Sequence, residues 1–279
     1  MRPGWRDALR WRSGSPLRAH IGPRSVVIES ASGIGKQPAP TRVVAPSGET
    51  PETSRGQEGL TPPAHALEAL SRALTAMEGE VGSLRGRRCD VVIEDCWMLY
   101  DIVRADLDAM SSRAAAALVA ASLADLSGAA PDELRCRWHP QGRSAYTLAC
   151  GMPVDVVPAL ARTLAPLGVR LGAVEGEFVA EYNRRRAAIE PRCAVIAVIR
   201  AAGTQLAAMV DGIFIATSFE AGIQAAAELE ARARGMVRIA AASLAAFEDQ
   251  ADRFYAIAEP EWPSAMPWVV LPAATDARP

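Results

Sequence analysis

Short apolar runs rich in Val and Ile, cut by Gly and Pro, dominate the pattern along this chain. PLRAHIG (Pro16–Gly22) and SVVIESA (Ser25–Ala31) flank a Gly-Pro-Arg turn and predict two strands, with TRVVAP (Thr41–Pro46) as a third. Residues 47–63 turn to Ser, Gly, Thr, Glu and Pro, too polar to build a core, and predict a flexible loop. From Ala64 to Leu84 the period changes. Leu67, Leu70, Leu74 and Met77 fall on one helical face, with Glu68, Arg72 and Glu78 elsewhere. CDVVIED (Cys89–Asp95) reads as a buried strand, and WMLYDIVR (Trp97–Arg104) as its partner strand. Ser111–Leu126 predicts an alanine-rich helix with a serine N-cap. LRCRWHP and SAYTLACG predict a hairpin across Gln-Gly-Arg, and VDVVPALARTLAPLG a helix with Pro158 in its first turn, where proline is tolerated. VRLGAVEG predicts a strand and EFVAEYNRRRAAI a helix with a basic end.

After Pro191 three apolar runs, AVIAVIR, TQLAAMV and GIFIATS, are separated by Ala-Ala-Gly and Asp-Gly, so that three strands with two tight turns are predicted. Phe219–Arg234 then reads as a helix and MVRIAAAS (Met236–Ser243) as a strand. The order three-strand meander, helix, strand therefore occurs twice, which predicts a duplicated mixed α/β architecture. The expected boundaries are a basic tail at 1–15, a first half at 16–189 with an inserted αββα segment, a second half at 190–259, and a Trp- and Pro-rich tail at 260–279.

Composition narrows the function classes. Net charge is −2 and the pI about 6, so there is no global basic surplus to hold nucleic acid. Arg2, Arg6, Arg10, Arg12, Arg18 and Arg24 stand against Asp7 alone near the start. That tail reads as a solvated or tucked-in terminus, with contact to acidic lipid or an acidic partner as the other reading. No run reaches the roughly 18–20 apolar residues of a membrane-spanning helix, and the start lacks a signal-peptide apolar core, so a cytoplasmic setting is expected. Cys89, Cys96, Cys136, Cys150 and Cys193 show no CxxC spacing and read as reduced core thiols.

The element order resembles the actin-like ATPase fold, two ribonuclease-H-like halves that each begin with three antiparallel strands. Within it the chain looks most like PilM of type IV pili and the cytoplasmic part of GspL of type II secretion. The segments that carry the likeness are LRAHIGPRSVVIES, LEALSRALTAMEGEVGSLRGRRCDVVIEDCWMLYDIV, the block from LRCRWHP to EYNRRRAAI, and AVIRAAGTQLAAMVDGIFIATS, together spanning Pro16 to Arg234. The resemblance implies nucleotide chemistry on two Asp-x-Gly hairpin turns. Here the first turn has His20 in the aspartate place, followed by Gly22 and Ser25, and the second has Ala201, followed by Gly203 and Thr204. Both carboxylates that would position Mg²⁺ and water are replaced, and without them in-line phosphoryl transfer loses its main charge stabilisation. The resemblance therefore implies a scaffold that does not hydrolyse ATP, leaves ATP binding open, and calls for no other cofactor. Its expected partner is an inner-membrane pilus or secretion protein with a short cytoplasmic N-terminal segment, through which the chain associates peripherally with the membrane. The alternative is an ATP-binding actin-like ATPase of the same machinery.

Other motifs carry less. SGIGKQ (Ser32–Gln37) lacks the first glycine and the final Ser/Thr of a phosphate loop, and Pro38 and Pro40 stop it from opening a helix. His20, His65 and His139 lie far apart and near no cysteine pair, so they read as surface or turn histidines and no metal is expected. Glu94, Asp95 and Asp101 read as strand-ending surface charges rather than an acid–base pair. Arg184, Arg185 and Arg186 offer contact to an anion or acidic partner, but complementing the helix dipole explains them equally.

Overall fold

The computed structural model describes residues 16–30, 41–46, 62, 64–141, 144–189, 193–222, 225–241, 253–258 and 268–272. The basic segment 1–15, the loop at 47–61 and the SGIGKQ motif lie outside them.

The first sheet grows from the meander β1 (Leu17–Ile21), β2 (Ser25–Ser30) and β3 (Thr41–Pro46). Parallel strands β4 (Arg88–Ile93) and β8 (Arg170–Gly176) extend it in the order β3-β2-β1-β4-β8. Strand β1 alternates strictly: Leu17, Ala19 and Ile21 are buried, while Arg18 and His20 face the other side. The buried side is covered by α1 (Ala64–Val81), whose Leu70, Ala73, Leu74 and Met77 are sealed from solvent, and by α3 (Val156–Leu164) packed on α1 and β8.

The second sheet repeats this plan. β9 (Cys193–Arg200), β10 (Gly203–Val210) and β11 (Ile213–Ala221) form the meander, and β12 (Arg253–Ala258) and β13 (Trp268–Pro272) extend it in parallel, in the order β11-β10-β9-β12-β13. Here β9 and β10 are buried on both faces, which is why they read as continuous apolar runs rather than alternating ones. Val195, Ala197, Ile199, Leu206 and Ala208 pack under α5 (Ala226–Ala241), whereas Ala194, Ile196, Val198, Ala207 and Met209 join the core of the first half. The two halves thus share one hydrophobic core. Residues 268–272, which composition places in a tail, form the outermost strand of this sheet, with Trp268 buried against Phe254.

A third sheet, β5-β7-β6, is inserted between β4 and β8. It comprises β5 (Leu99–Arg104), β6 (Leu134–Pro140) and β7 (Tyr146–Pro153), backed by α2 (Ser112–Ser127). Ser111 caps α2 by accepting from Ala114 N, and Gly128 ends it in the left-handed region. Gln141 ties this insertion to the second half, donating to Phe214 O at 2.8 Å and accepting from Phe214 N at 2.6 Å. At the junction Phe178, on α4 (Glu177–Arg185), meets Tyr100 and Phe214 edge-on at 5.6 and 5.5 Å between ring centroids.

Two expectations are corrected. WMLYDIVR is not the partner of β4, because both edges of β4 are already taken by β1 and β8; a 3₁₀ turn at Asp95–Trp97 leads the chain out of the sheet, and β5 pairs with β7. Phe219–Ala221 continues β11, and MVRIAAAS does not start a strand, since α5 runs through Gly235 to Ala241. Leu229, Ala233 and Met236 recur at helical spacing and are buried, so Gly235 interrupts neither the face nor the helix. The parallel strand beside β9 is RFYAIA, at 253–258.

A side chain added at Gly235 would meet nothing within 4 Å. Gly235→Ala should therefore stabilise the protein by about 0.5–1 kcal/mol in urea unfolding, the gain of alanine over glycine in a helix interior. A helix that ended at Arg234 would give no gain.

Candidate functional site: a closed cleft between two hairpin turns

The ends of β1, β4 and β8 point at the β9–β10 turn of the other half, and charged side chains fill the space between. His20 comes from β1, Glu94 and Asp95 follow β4, Glu177 opens α4, and Arg200 ends β9 on its inward face. Alternation along β9 decides the last point: Ala194, Ile196 and Val198 face the first half, and Arg200 keeps their parity.

Glu177 is the hub. Its Oε1 receives Arg200 Nε and Nη2, each at 2.6 Å, and lies 3.0 Å from His20 Nε2. The Glu177 side chain is 2% exposed and that of Arg200 9%, so this is a buried ion pair joining the two halves. Arg200 Nη1 also donates to Ile199 O at 2.7 Å. Asp95 holds the entry to α4: its Oδ1 accepts from Phe178 N at 3.1 Å and from the Tyr100 hydroxyl at 2.8 Å.

Electrostatics follows from this packing. Burial pushes the Glu177 carboxyl upward, but His20 and Arg200 outweigh it and hold the group well below the usual carboxylate range. Burial pushes His20 down, but the Glu177 carboxylate, with Glu94 behind it, shifts it upward overall. At Glu94 and Asp95 burial first, then repulsion from Glu177, outweighs the pull of Arg200 and, for Glu94, of His20, and raises both. Burial and the surrounding carboxylates raise the Cys96 thiol far above its ordinary range, so it stays protonated.

Both turn glycines lie under protein. A methyl group at Gly22 would collide with Glu94 Oε1, so the glycine is there to let Glu94 fold across the first turn. At Gly203 a methyl would run into the Phe219 ring and come within 2.6 Å of Glu220 O, so β11 covers the second turn. The space framed by Glu94, Asp95, Glu177, Val198, Arg200, Gly203 and Phe219 holds about 170 Å³, but in pieces too small for a water-sized sphere.

The residues expected at this site are partly brought together. His20 reaches the cleft through Glu177 and Gly22 lies beneath Glu94; Ser25 closes the first turn by accepting from Gly22 N at 3.0 Å through its carbonyl. Ala201 and Ala202 form the second turn, and Gly203 faces the cleft, but Thr204 shares the side of β10 with Leu206 and Ala208, in the core under α5. Arg184 and Arg185 both pair with Glu181 on their own helix, Arg184 at 3.0 Å. Arg184 also borders a depression of about 330 Å³ on the open face of the first sheet, with Arg18, His20, Val27 and Glu29. Arg186 begins the 3₁₀ turn after α4 and does not line the cleft.

Glu94 and Asp95 are not surface charges as their sequence position suggests, since both line the cleft and Asp95 is 5% exposed. Asp101 sits on β5 instead, accepting from Ile102 N and from the Ser122 hydroxyl. Glu177 and Arg200 went unrecognised in the sequence. Their signal is a charged residue that ends an apolar strand or follows one directly, as in AVIAVIR and AVEGE.

Comparison with solved structures accounts for this arrangement. The chain is similar to a structure of the PilM–PilN type IV pilus biogenesis complex, with a TM-score of 0.56 and 14% identity over 88% of this chain and 81% of that one. It is similar to the cytoplasmic domain of EpsL, an inner-membrane component of the type II secretion system of Vibrio cholerae, with a TM-score of 0.52 and 13% identity over 92% and 89%. A Bacteroides thetaiotaomicron protein with an actin-like ATPase fold and unknown function follows, with a TM-score of 0.50 and 11% identity over 88% and 82%. No protein-family model matches the sequence, and no match was found among curated proteins. The chain has the actin-like ATPase fold, and the cleft described above lies between its two halves.

The ion pair gives a direct prediction. Arg200→Met strands a buried carboxylate and should cost about 3–5 kcal/mol in urea unfolding. In a cycle with Glu177→Gln the two changes should couple by about 1–3 kcal/mol. Strictly additive losses would show that the pair does not join the halves.

Proposed function

We propose that this protein is a non-catalytic scaffold of a type IV pilus or type II secretion assembly, which binds the cytoplasmic tail of an inner-membrane partner. One observation carries the reading: the cleft of an actin-like fold is closed by the chain's own charged side chains. His20 and Ala201 stand where the fold's Mg²⁺-positioning aspartates are expected, Glu94 covers the first turn glycine, and Phe219 covers the second. In-line phosphoryl transfer needs a metal-neutralised phosphate held over such turns, and here that space is occupied. A protein that keeps the two-half frame and fills its cleft is suited to work through its surfaces.

The likeness to the PilM–PilN complex and to the cytoplasmic domain of EpsL supports placing those surfaces in pilus or secretion machinery at the inner membrane. Among the described residues no helix is long and apolar enough to cross a membrane, which fits attachment through a partner. The open face of the first sheet is a suitable receptor. Arg18, Glu29 and Arg184 border its depression, and an extended segment can dock there through pockets and sheet-edge hydrogen bonds.

Two measurements on the purified chain test this. Turnover of Mg²⁺–ATP should not exceed background, and the immobilised protein should capture from its native bacterium a membrane protein with a short cytoplasmic N-terminal segment. A synthetic peptide of that segment should compete for capture. Saturable hydrolysis that disappears in Arg200→Met would instead establish an ATPase.

A further inference from the structure

Carboxylates outnumber basic side chains in the cleft cluster. Two buried carboxylates, Asp95 and Glu177, and the half-buried Glu94 stand with one guanidinium, Arg200, and one imidazole, His20. A second observation is independent of this count. Glu177 Oε2 and Asp95 Oδ2 are buried and accept no hydrogen bond from any described residue. The two residues are 1% and 5% exposed and line the same space. A buried carboxylate oxygen without a donor is costly, and a cation beside it removes the cost.

His20, Glu94 and Glu177 each offer a donor atom, and these atoms lie within 4.8 Å of one another. Ligands about 2.1 Å from a shared ion stand about 3–3.5 Å apart in tetrahedral or octahedral geometry. The 3.0 Å between His20 Nε2 and Glu177 Oε1 fits that spacing. We propose that His20, Glu94 and Glu177 form a binding site for a first-row divalent transition-metal ion of the Zn²⁺ or Co²⁺ kind. One imidazole and two carboxylates suit such an ion better than Mg²⁺, which prefers an all-oxygen shell and keeps its waters. The replacement of an aspartate by His20, which weakens a nucleotide site, is what makes the cluster suitable for this ion. Arg200 competes for the same hub, since it already holds Glu177 Oε1, while Oε2 has no donor among the described residues.

Cobalt titration of the full chain, without a histidine tag and stripped by chelator, tests the site. The expected result is one equivalent bound, with visible d–d bands and no near-ultraviolet thiolate-to-cobalt band. Zn²⁺ should displace the cobalt and equimolar Mg²⁺ should not. Affinity should fall at least about tenfold in His20→Gln and in Glu94→Gln, since even losing an outer partner of a ligand costs that much. Arg200→Met should bind more tightly, which a purely structural role of the cluster would not produce. Absence of a saturable cobalt spectrum in the unaltered chain overturns the proposal whether or not the variants fold. So does a thiolate band, which would put the ion on a cysteine, or unchanged affinity in a folded His20 or Glu94 variant.

Discussion

The bridge from Arg200 to Glu177 is the contact on which the arrangement of the two halves turns. Each residue sits at the end of a regular element, β9 in one half and α4 in the other, and neither can turn to solvent without opening the cleft. Buried charges are tolerated only when paired and hydrogen-bonded, so the pair fixes how the halves meet while adding little net stability. The shared apolar core supplies the adhesion. Ala194, Ile196 and Val198 pack with Ile21, Val91 and Phe178, and the aromatic contacts of Phe178 join the inserted sheet to both halves.

That division of labour explains the chemistry of the cleft. Opening it for a nucleotide would require Glu94 to swing off Gly22 and Arg200 to leave Glu177, which strands several charges at once. The same side chains leave the cleft rich in carboxylates.

Much of the fold was legible because secondary structure follows periodicity. The strict alternation of LRAHI, the continuous apolar run AVIAVI and the helical spacing of Leu70, Leu74 and Met77 each specify an element and the number of its faces that are buried. The duplication followed from their order. What failed was local: MVRIA is apolar enough for a strand but continues a helix, because Met236 completes the face begun by Leu229 and Ala233. RFYAIA, too short to stand out beside a Trp- and Pro-rich segment, was missed as the strand next to β9. The site was half legible. His20 and Ala201 could be placed by the turn pattern. Glu177 and Arg200 could not, because their meaning depends on two strand ends 23 residues apart converging across a cleft, which no spacing rule conveys.

The proposed function requires that the chain's own side chains occupy the space a nucleotide would take. A crystal structure grown with Mg²⁺ and a non-hydrolysable ATP analogue tests it most directly. The expected result is Arg200 on Glu177, Glu94 folded over Gly22, and no nucleotide between the halves. Phosphates seated over Gly22 and Gly203, with Glu94 and Phe219 displaced, would contradict it.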